Sequence, residues 1–424
     1  MLSRYFAAAA AVLATVASAT PIARPNETKN DWDLEWISTD SSLPKVVYER
    51  IYSAGGTILS ASNYSRLDNI AYGSGAAPTP EDLIGNVSEV LSVAQLAIVK
   101  FPASGGSAGL NSSLYLNISQ YANKQLCAEG SDIAGAIMFH GTNTLEETAF
   151  GVDLTFNCSK PFVATGAMRP DTYISPDGRS NFYQAVAAAA SPASRNRGGL
   201  IAFNDRITSI YYSTKLNANT PDTFKALEQG NLGAFLAGQP YYFFDAAYPT
   251  GRPHFDVANT TELPAVIIVY GHQGFDASLM YAAVQNGAKG LVIMGPGAAS
   301  VSPSARAAAA DLLQRQGIPT VSVARPVTGS GVPSPISGPL AIDLPLRVFF
   351  FFFFRLLEFE SLDANFESMT SIYSSYVGGE QARIMLQLAI NAGYSVDEIR
   401  ELFESPLRNA VYGNSANQQF YYPL

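Results

Sequence analysis

Short apolar runs alternate with helical stretches along most of this chain, and that alternation admits few folds. The runs Asp132 to Phe139, Pro161 to Thr165 and Gly199 to Phe203 read as buried strands, preceded by Val46 to Tyr52, and Asn181 to Ala190 reads as a helix. Strands without a polar face are those of a parallel sheet, because crossover helices cover both of its sides. After a Pro-, Tyr- and Phe-rich connection around Gln239 to Pro253 the pattern restarts. Leu263 to Tyr270, Gly290 to Met294 and Pro319 to Val323 read as strands, with Ala277 to Asn286 and Ser304 to Gln316 as the helices between them. The expectation is an α/β protein of two domains: a larger parallel-sheet domain over 45–238, a linker over 239–261 and a smaller α/β domain over 262–424. A chain of 424 residues, 47% hydrophobic and 14% charged, has the size and composition for two such cores.

The first residues carry Arg4, an apolar run to Val16, and then Ala17-Ser18-Ala19, which fits a signal peptide over 1–19 cut after Ala19. That run is shorter than the roughly 20 apolar residues needed to cross a bilayer, so no membrane anchor is expected. Residues 20–44 are polar without an apolar period and read as an extension with little fold. A secreted destination, extracellular or in the cell wall or periplasm, follows. It would expose N-x-S/T sequons at Asn26, Asn63, Asn86, Asn111, Asn117, Asn157 and Asn259 to glycosylation. Cys127 and Cys158 are the only cysteines and read as one disulfide in an oxidising compartment. Two cysteines do not by themselves make a structural zinc site. A net charge of -9, three histidines and no dense Lys/Arg cluster argue against nucleic acid as a partner.

Positions 331–370 break the pattern, because Phe349 to Phe354 is an uninterrupted run of phenylalanine. Exposing such residues would forfeit roughly 1.5–3 kcal/mol each and present an aggregation-prone window. The stretch reads as a translated intron or other gene-model error, and a tryptic peptide from natural material spanning it would refute that. A genuine buried insertion is the alternative.

Three segments carry chemistry. Gly55-Gly56-Thr57-Ile58 ends the first strand, where glycines allow a tight turn and close substrate approach and the next residue presents a hydroxyl at the sheet edge. His140-Gly141-Thr142-Asn143-Thr144-Leu145-Glu146-Glu147-Thr148-Ala149 follows a buried strand at once. Backbone N–H groups at the helix start there can hold a carboxylate or a developing oxyanion. Then come Ala164-Thr165-Gly166-Ala167-Met168-Arg169-Pro170, Asn204-Asp205 and Thr214-Lys215. In this order and spacing the segments resemble the asparaginase/glutaminase family, and the cysteine pair flanking the His-Gly-Thr segment resembles its secreted fungal-type (type II) branch. The resemblance covers roughly 51–330 and resumes at Gly378 to Phe403.

The resemblance implies a flavodoxin-like larger domain, a homotetramer built of intimate dimers, and hydrolysis of L-asparagine, with L-glutamine as a second substrate, without metal or cofactor. Thr57 matches the nucleophile and Thr142 the second threonine, which serves the attacking water. Lys215 matches the lysine that takes a proton; a buried amine can do so because burial disfavours its charged form. Tyr72, rather than Tyr64, matches the mobile tyrosine of a lid, and the Ser/Gly-rich stretch Ser60 to Ala77 suits one. Ser107, Gly56, Gly141 and Asn143 fall at substrate-binding positions.

Three features depart from the family pattern. Asn143 stands where the family has an aspartate that binds the substrate's α-ammonium, and a neutral amide gives roughly half the strength of a charge-assisted bond. Ser107-Ala108-Gly109 lacks the polar neighbours usual there, and Glu49-Arg50 is an odd pair for a central strand. A working asparaginase, a catalytically impaired paralogue and an amidohydrolase of shifted amide specificity are the readings these residues leave open.

Overall fold

Strand β2 (Lys45–Ile51) sets the frame of the larger domain because it pairs in parallel on both sides, with β3 (Gln95–Phe101) and with β4 (Ile133–Phe139). The computed structural model describes residues 34–38, 40–51, 56–101, 106–331 and 371–412. The stretch 1–19 expected to be a signal peptide, the extension as far as 33, and 332–370 with its Phe run lie outside these, as do the side chains of Glu49 and Arg50. The ladder continues in parallel through β5 (Phe162–Thr165) and β6 (Leu200–Phe203). The parallel core therefore runs β3-β2-β4-β5-β6, the doubly wound order of the flavodoxin-like class. Its switch point, where such sheets bind ligands, lies between β2 and β4.

Helices cover the sheet for the reason its sequence implied. Helix α4 (Gly178–Ala190) packs on β4, β5 and β6, and its Phe182 meets Phe139 of β4 edge to face at 5.1 Å between ring centres. Both rings are fully buried, which stabilises the pair of layers by about 2–3 kcal/mol per side chain. On the opposite face α2 (Ser112–Gln125) and α3 (Leu145–Thr155) pack together.

The sheet is longer than the alternation announced. After β6 the chain reverses through Asn204 and Asp205, whose φ angles of 51° and 62° make the two-residue turn that suits a twisted hairpin. Strands β7 (Arg206–Ser209), β10 (Gly233–Leu236) and β11 (Gln239–Tyr242) then extend the sheet antiparallel. Strand β11 thus claims the first residues of the stretch expected to be a linker. At the other edge β1 (Glu35–Trp36) pairs with β3, and the Ile37 N–H donates to Leu96 O at 2.8 Å. The end of the polar extension is therefore ordered, a correction that periodicity could not supply for two residues. A separate short hairpin joins β8 (Thr214–Lys215) to β9 (Phe224–Lys225).

The smaller domain is a parallel sheet of β12 (Val266–Tyr270), β13 (Gly290–Gly295), β14 (Thr320–Ala324) and β15 (Ile372–Tyr373) in that order. Helices α5 (Ser278–Gln285) and α6 (Pro303–Gln316) share one apolar cluster with its strands. Helix α7 (Gly379–Asn391) packs on β12, β13 and β14, and also against α3 of the larger domain. The flanks of the anomalous stretch meet in space, since the Gly331 N–H donates to Ser375 O at 3.1 Å.

Candidate active site

Strands β2 and β4 end at the same sheet edge, and the chain beyond each carries a glycine followed by a threonine. Gly56 adopts a φ of +62° and starts the tight turn Gly56–Leu59 that holds Thr57. A Cβ on Gly56 would lie 2.4 Å from Gly141 Cα, so the two backbones touch and no side chain fits between them. The Ser60 hydroxyl closes the turn by donating to Gly56 O at 2.7 Å. Thr57 and Thr142, next to the touching glycines, are 4% and 7% exposed. The switch point therefore holds two buried hydroxyls.

Lys215 reaches this point from the β8–β9 hairpin, its Nζ donating to Thr142 Oγ1 at 2.9 Å. Burial lowers its proton affinity, while the Glu146 carboxylate opposes that by favouring the ammonium. Glu146 lies in the first turn of α3, where the helix dipole favours negative charge, and accepts the Lys215 backbone N–H at 2.5 Å. Burial, opposed by its bond from Thr214 and aided by the Glu380 carboxylate, pushes the Glu146 carboxyl up to about 7. Glu147 pairs with Arg383 of α7 at 2.9 Å.

The remaining candidates form the rim. Ser107, beyond β3, is 4% exposed, and its carbonyl accepts from the Thr144 hydroxyl at 2.7 Å, which ties it to the His-Gly-Thr segment. Asn143 is exposed beside Thr142. Tyr72 is 40% exposed on a loop that is pinned rather than loose. The Gly73 and Gly75 N–H groups both donate to Ala61 O, and Asp68 accepts from Ser62 Oγ and from the N–H groups of Ile70 and Ala71.

The structure thus joins Thr57, Thr142, Lys215, Gly56, Gly141 and Ser107, and leaves Asn143 and Tyr72 facing solvent. The Ala164-to-Pro170 segment supports the site from behind. A Cβ on Gly166 would lie 2.6 Å from His140 O, and Asn181 donates to Gly166 O at 2.9 Å while accepting the Asn204 N–H at 3.0 Å. Two residues escaped sequence reasoning, Glu146 and the fully buried His140. An acidic pair in the first turn of a helix is ordinary dipole chemistry, and nothing local marks one member as a partner of Lys215.

Cys127 and Cys158 are bonded, with Cα atoms 5.4 Å apart. Among the described residues no group of three or more His, Cys, Asp and Glu side chains could hold a metal ion, and no helix is long and apolar enough to cross a membrane.

Comparison with known proteins agrees with this geometry. The asparaginase N-terminal family model matches residues 50–248, and the glutaminase/asparaginase C-terminal domain model matches 265–337. The probable L-asparaginase 1 of Schizosaccharomyces pombe is 38% identical over 376 residues, 87% of this chain and 91% of its own. L-asparaginase 2-3 of Saccharomyces cerevisiae is 36% identical over 402 residues, 94% of this chain and 96% of its own. The crystal structure of a probable cytoplasmic L-asparaginase from Campylobacter jejuni superposes with a TM-score of 0.70 at 28% identity, covering 85% of this chain and 99% of that one. From its two hydroxyls at a switch point to the span of these matches, the chain belongs to the asparaginase family.

Proposed function

We propose that this protein hydrolyses the side-chain amide of L-asparagine to L-aspartate and ammonia through an acyl-enzyme on Thr57. The observation that carries the reading is the amine of Lys215 lying 2.9 Å from Thr142 Oγ1, with its charged form disfavoured by burial, at the edge where Gly56 meets Gly141. Thr57 Oγ1 attacks the amide carbon, its hydroxyl proton passes to the amide nitrogen, the C–N bond breaks, and ammonia leaves. Neutral Lys215 draws the Thr142 hydroxyl proton, and Thr142 in turn draws a proton from water. The water oxygen attacks the ester, the bond from the acyl carbon to Thr57 Oγ1 breaks, and the proton held on Lys215 returns to Thr57 Oγ1 as aspartate leaves. Tyr72 closes beside the nucleophile, while Ser107 and Asn143 hold the substrate's α-carboxylate and α-ammonium. Ammonia release from L-asparagine tests this: Thr57→Ala and Lys215→Met are each expected to lower kcat by about a thousandfold or more. Loss below tenfold in either would refute the assigned role.

Asn143 favours a second reading within the same fold, because a neutral, exposed amide stands where the family carries a carboxylate. On that reading the chain is impaired toward asparagine or prefers glutamine or an amide lacking the α-ammonium. Asn143→Asp restoring hydrolysis to an otherwise inactive protein would establish impairment, whereas robust turnover by the unaltered protein would dismiss it.

Secretion after cleavage at Ala19 belongs to the same proposal. The disulfide is consistent with it, as is the exposure of Asn63, Asn86, Asn111, Asn117, Asn157 and Asn259. Peptide mapping of protein from the culture medium would reveal the new N-terminus and any glycans. Sedimentation would test the homotetramer.

A further inference from the structure

We propose that Glu146 is a positioning residue for Lys215, clamping the Thr214–Lys215 strand onto the first turn of α3 so that the lysine amine is held on Thr142. The inference deepens the hydrolase reading and rests on it only for the activity changes.

Thr142 and Glu146 stand four positions apart on one strand-to-helix transition, so they move as a unit. Lys215 comes from elsewhere. Its strand β8 is two residues long and pairs only with the two of β9, followed by one further bond from the Leu216 N–H to Thr223 O at 2.8 Å. So short a ladder does not by itself fix a side chain to within a few tenths of an ångström. Glu146 supplies what is missing: its Oε2 accepts the Lys215 N–H at 2.5 Å, and Thr214 donates to it as well. Both ends of the lysine are thereby tied to the same helix start, the backbone to Glu146 and the amine to Thr142.

The clamp also carries charge. On its own helix Glu146 neighbours Glu147, which Arg383 pairs with at 2.9 Å. From α7 it faces the Glu380 carboxylate, and from the hairpin the Lys215 amine. The cleft beside it, about 250 Å³, is lined further by Lys225, Glu228 and Arg325, and by Tyr211 and Tyr212, whose hydroxyls burial keeps protonated. An ionised Glu146 favours the ammonium of Lys215. Removing that charge while keeping an accepting oxygen should therefore free the amine at lower pH.

The test uses the full-length protein as the unaltered form, Glu146→Gln and Glu146→Ala. Two readouts are needed: kcat and KM on L-asparagine across pH, and the pH dependence of Lys215 acetylation by acetic anhydride, followed by mass spectrometry. Glu146→Gln should keep kcat within about threefold and shift both the acid limb of kcat and the Lys215 labelling midpoint down by about one pH unit. Glu146→Ala should lose about 10- to 100-fold in kcat with KM nearly unchanged, because a misplaced base costs the chemical step rather than binding. A Glu146→Gln labelling curve that overlays that of the unaltered protein overturns the proposal, whatever the activity. If the unaltered protein releases no ammonia while the labelling midpoint still shifts, the hydrolase reading fails and the clamp stands. Should Glu146→Ala fail to fold by circular dichroism, the Gln comparison decides alone.

Discussion

His140 and Glu146 sit six positions apart in one motif and respond to pH in opposite senses. The His140 ring is fully buried, with Gly141 O 2.7 Å from Nδ1 and the Thr148 hydroxyl 2.8 Å from Nε2, and burial holds it down at about 4 instead of 6.5. Between those values the unfolded chain binds a proton that the folded chain does not, so this group makes stability rise with pH. Glu146 is pushed up from 4.5 to about 7, so across that window the folded chain binds the extra proton and stability falls as pH rises. Where the windows overlap, the two slopes oppose each other. Glu146→Gln removes one of them, and its unfolding free energy relative to the unaltered protein should climb by about 1 kcal/mol per unit between about pH 5 and pH 6. Urea denaturation at several pH values in that range reads the difference, and a flat one would mean that folded Glu146 holds no extra proton. Legibility at this scale followed locality. Thr57, Thr142 and Lys215 could be singled out as candidates because each stands in a motif with a fixed neighbour, whereas Glu146 acts on a backbone N–H 69 positions away. Tyr72 was readable as a loop residue, but its place relative to Thr57 depends on how Ala61 and Asp68 fold the loop back, which no local pattern encodes.

Helix α7 is the element on which both domains lean. The Gln387 side chain accepts from the Tyr115 hydroxyl at 2.7 Å and the Ser112 hydroxyl at 2.9 Å, both on α2, and donates to Pro264 O at 2.7 Å ahead of β12. Truncating it takes an acceptor from the hydroxyl of Tyr115, a residue only 3% exposed, and a donor from the half-buried Pro264 carbonyl. Gln387→Ala is expected to cost about 2–4 kcal/mol in chemical denaturation; a cost below 1 kcal/mol would show that water takes over these bonds. The strands buried on both faces read as such from the sequence. The short strands β1, β7, β10 and β11 did not, because two to four residues leave too few alternations to count. Asn204-Asp205 was noticed as a motif without its meaning. The two consecutive positive φ angles that explain it turn the sheet from parallel to antiparallel.

At the scale of the molecule, the Cys127–Cys158 bridge ties the end of α2 to the segment after α3 across 31 positions. Closing a loop of that length removes unfolded-state entropy worth roughly 3–4 kcal/mol. Replacing both cysteines by serine should lower the unfolding free energy by about that amount and leave kcat within about twofold, since the bridge lies apart from Thr57, Thr142 and Lys215. A loss of activity without a loss of stability would contradict that separation. The braces across the two domains work differently, for they join residues made at different times. Gln381 donates to Ser213 O at 3.0 Å, two positions before Lys215, and Arg383 holds Glu147. Synthesis proceeds from the N-terminus, so both threonines and the lysine leave the ribosome long before helix Gly379–Asn391 exists. Until that helix docks, the hairpin bearing the base stands unsupported on its far side. A half-made chain therefore holds every reactive group of the site without the brace that aligns them, and whatever the site performs begins only with the finished polypeptide.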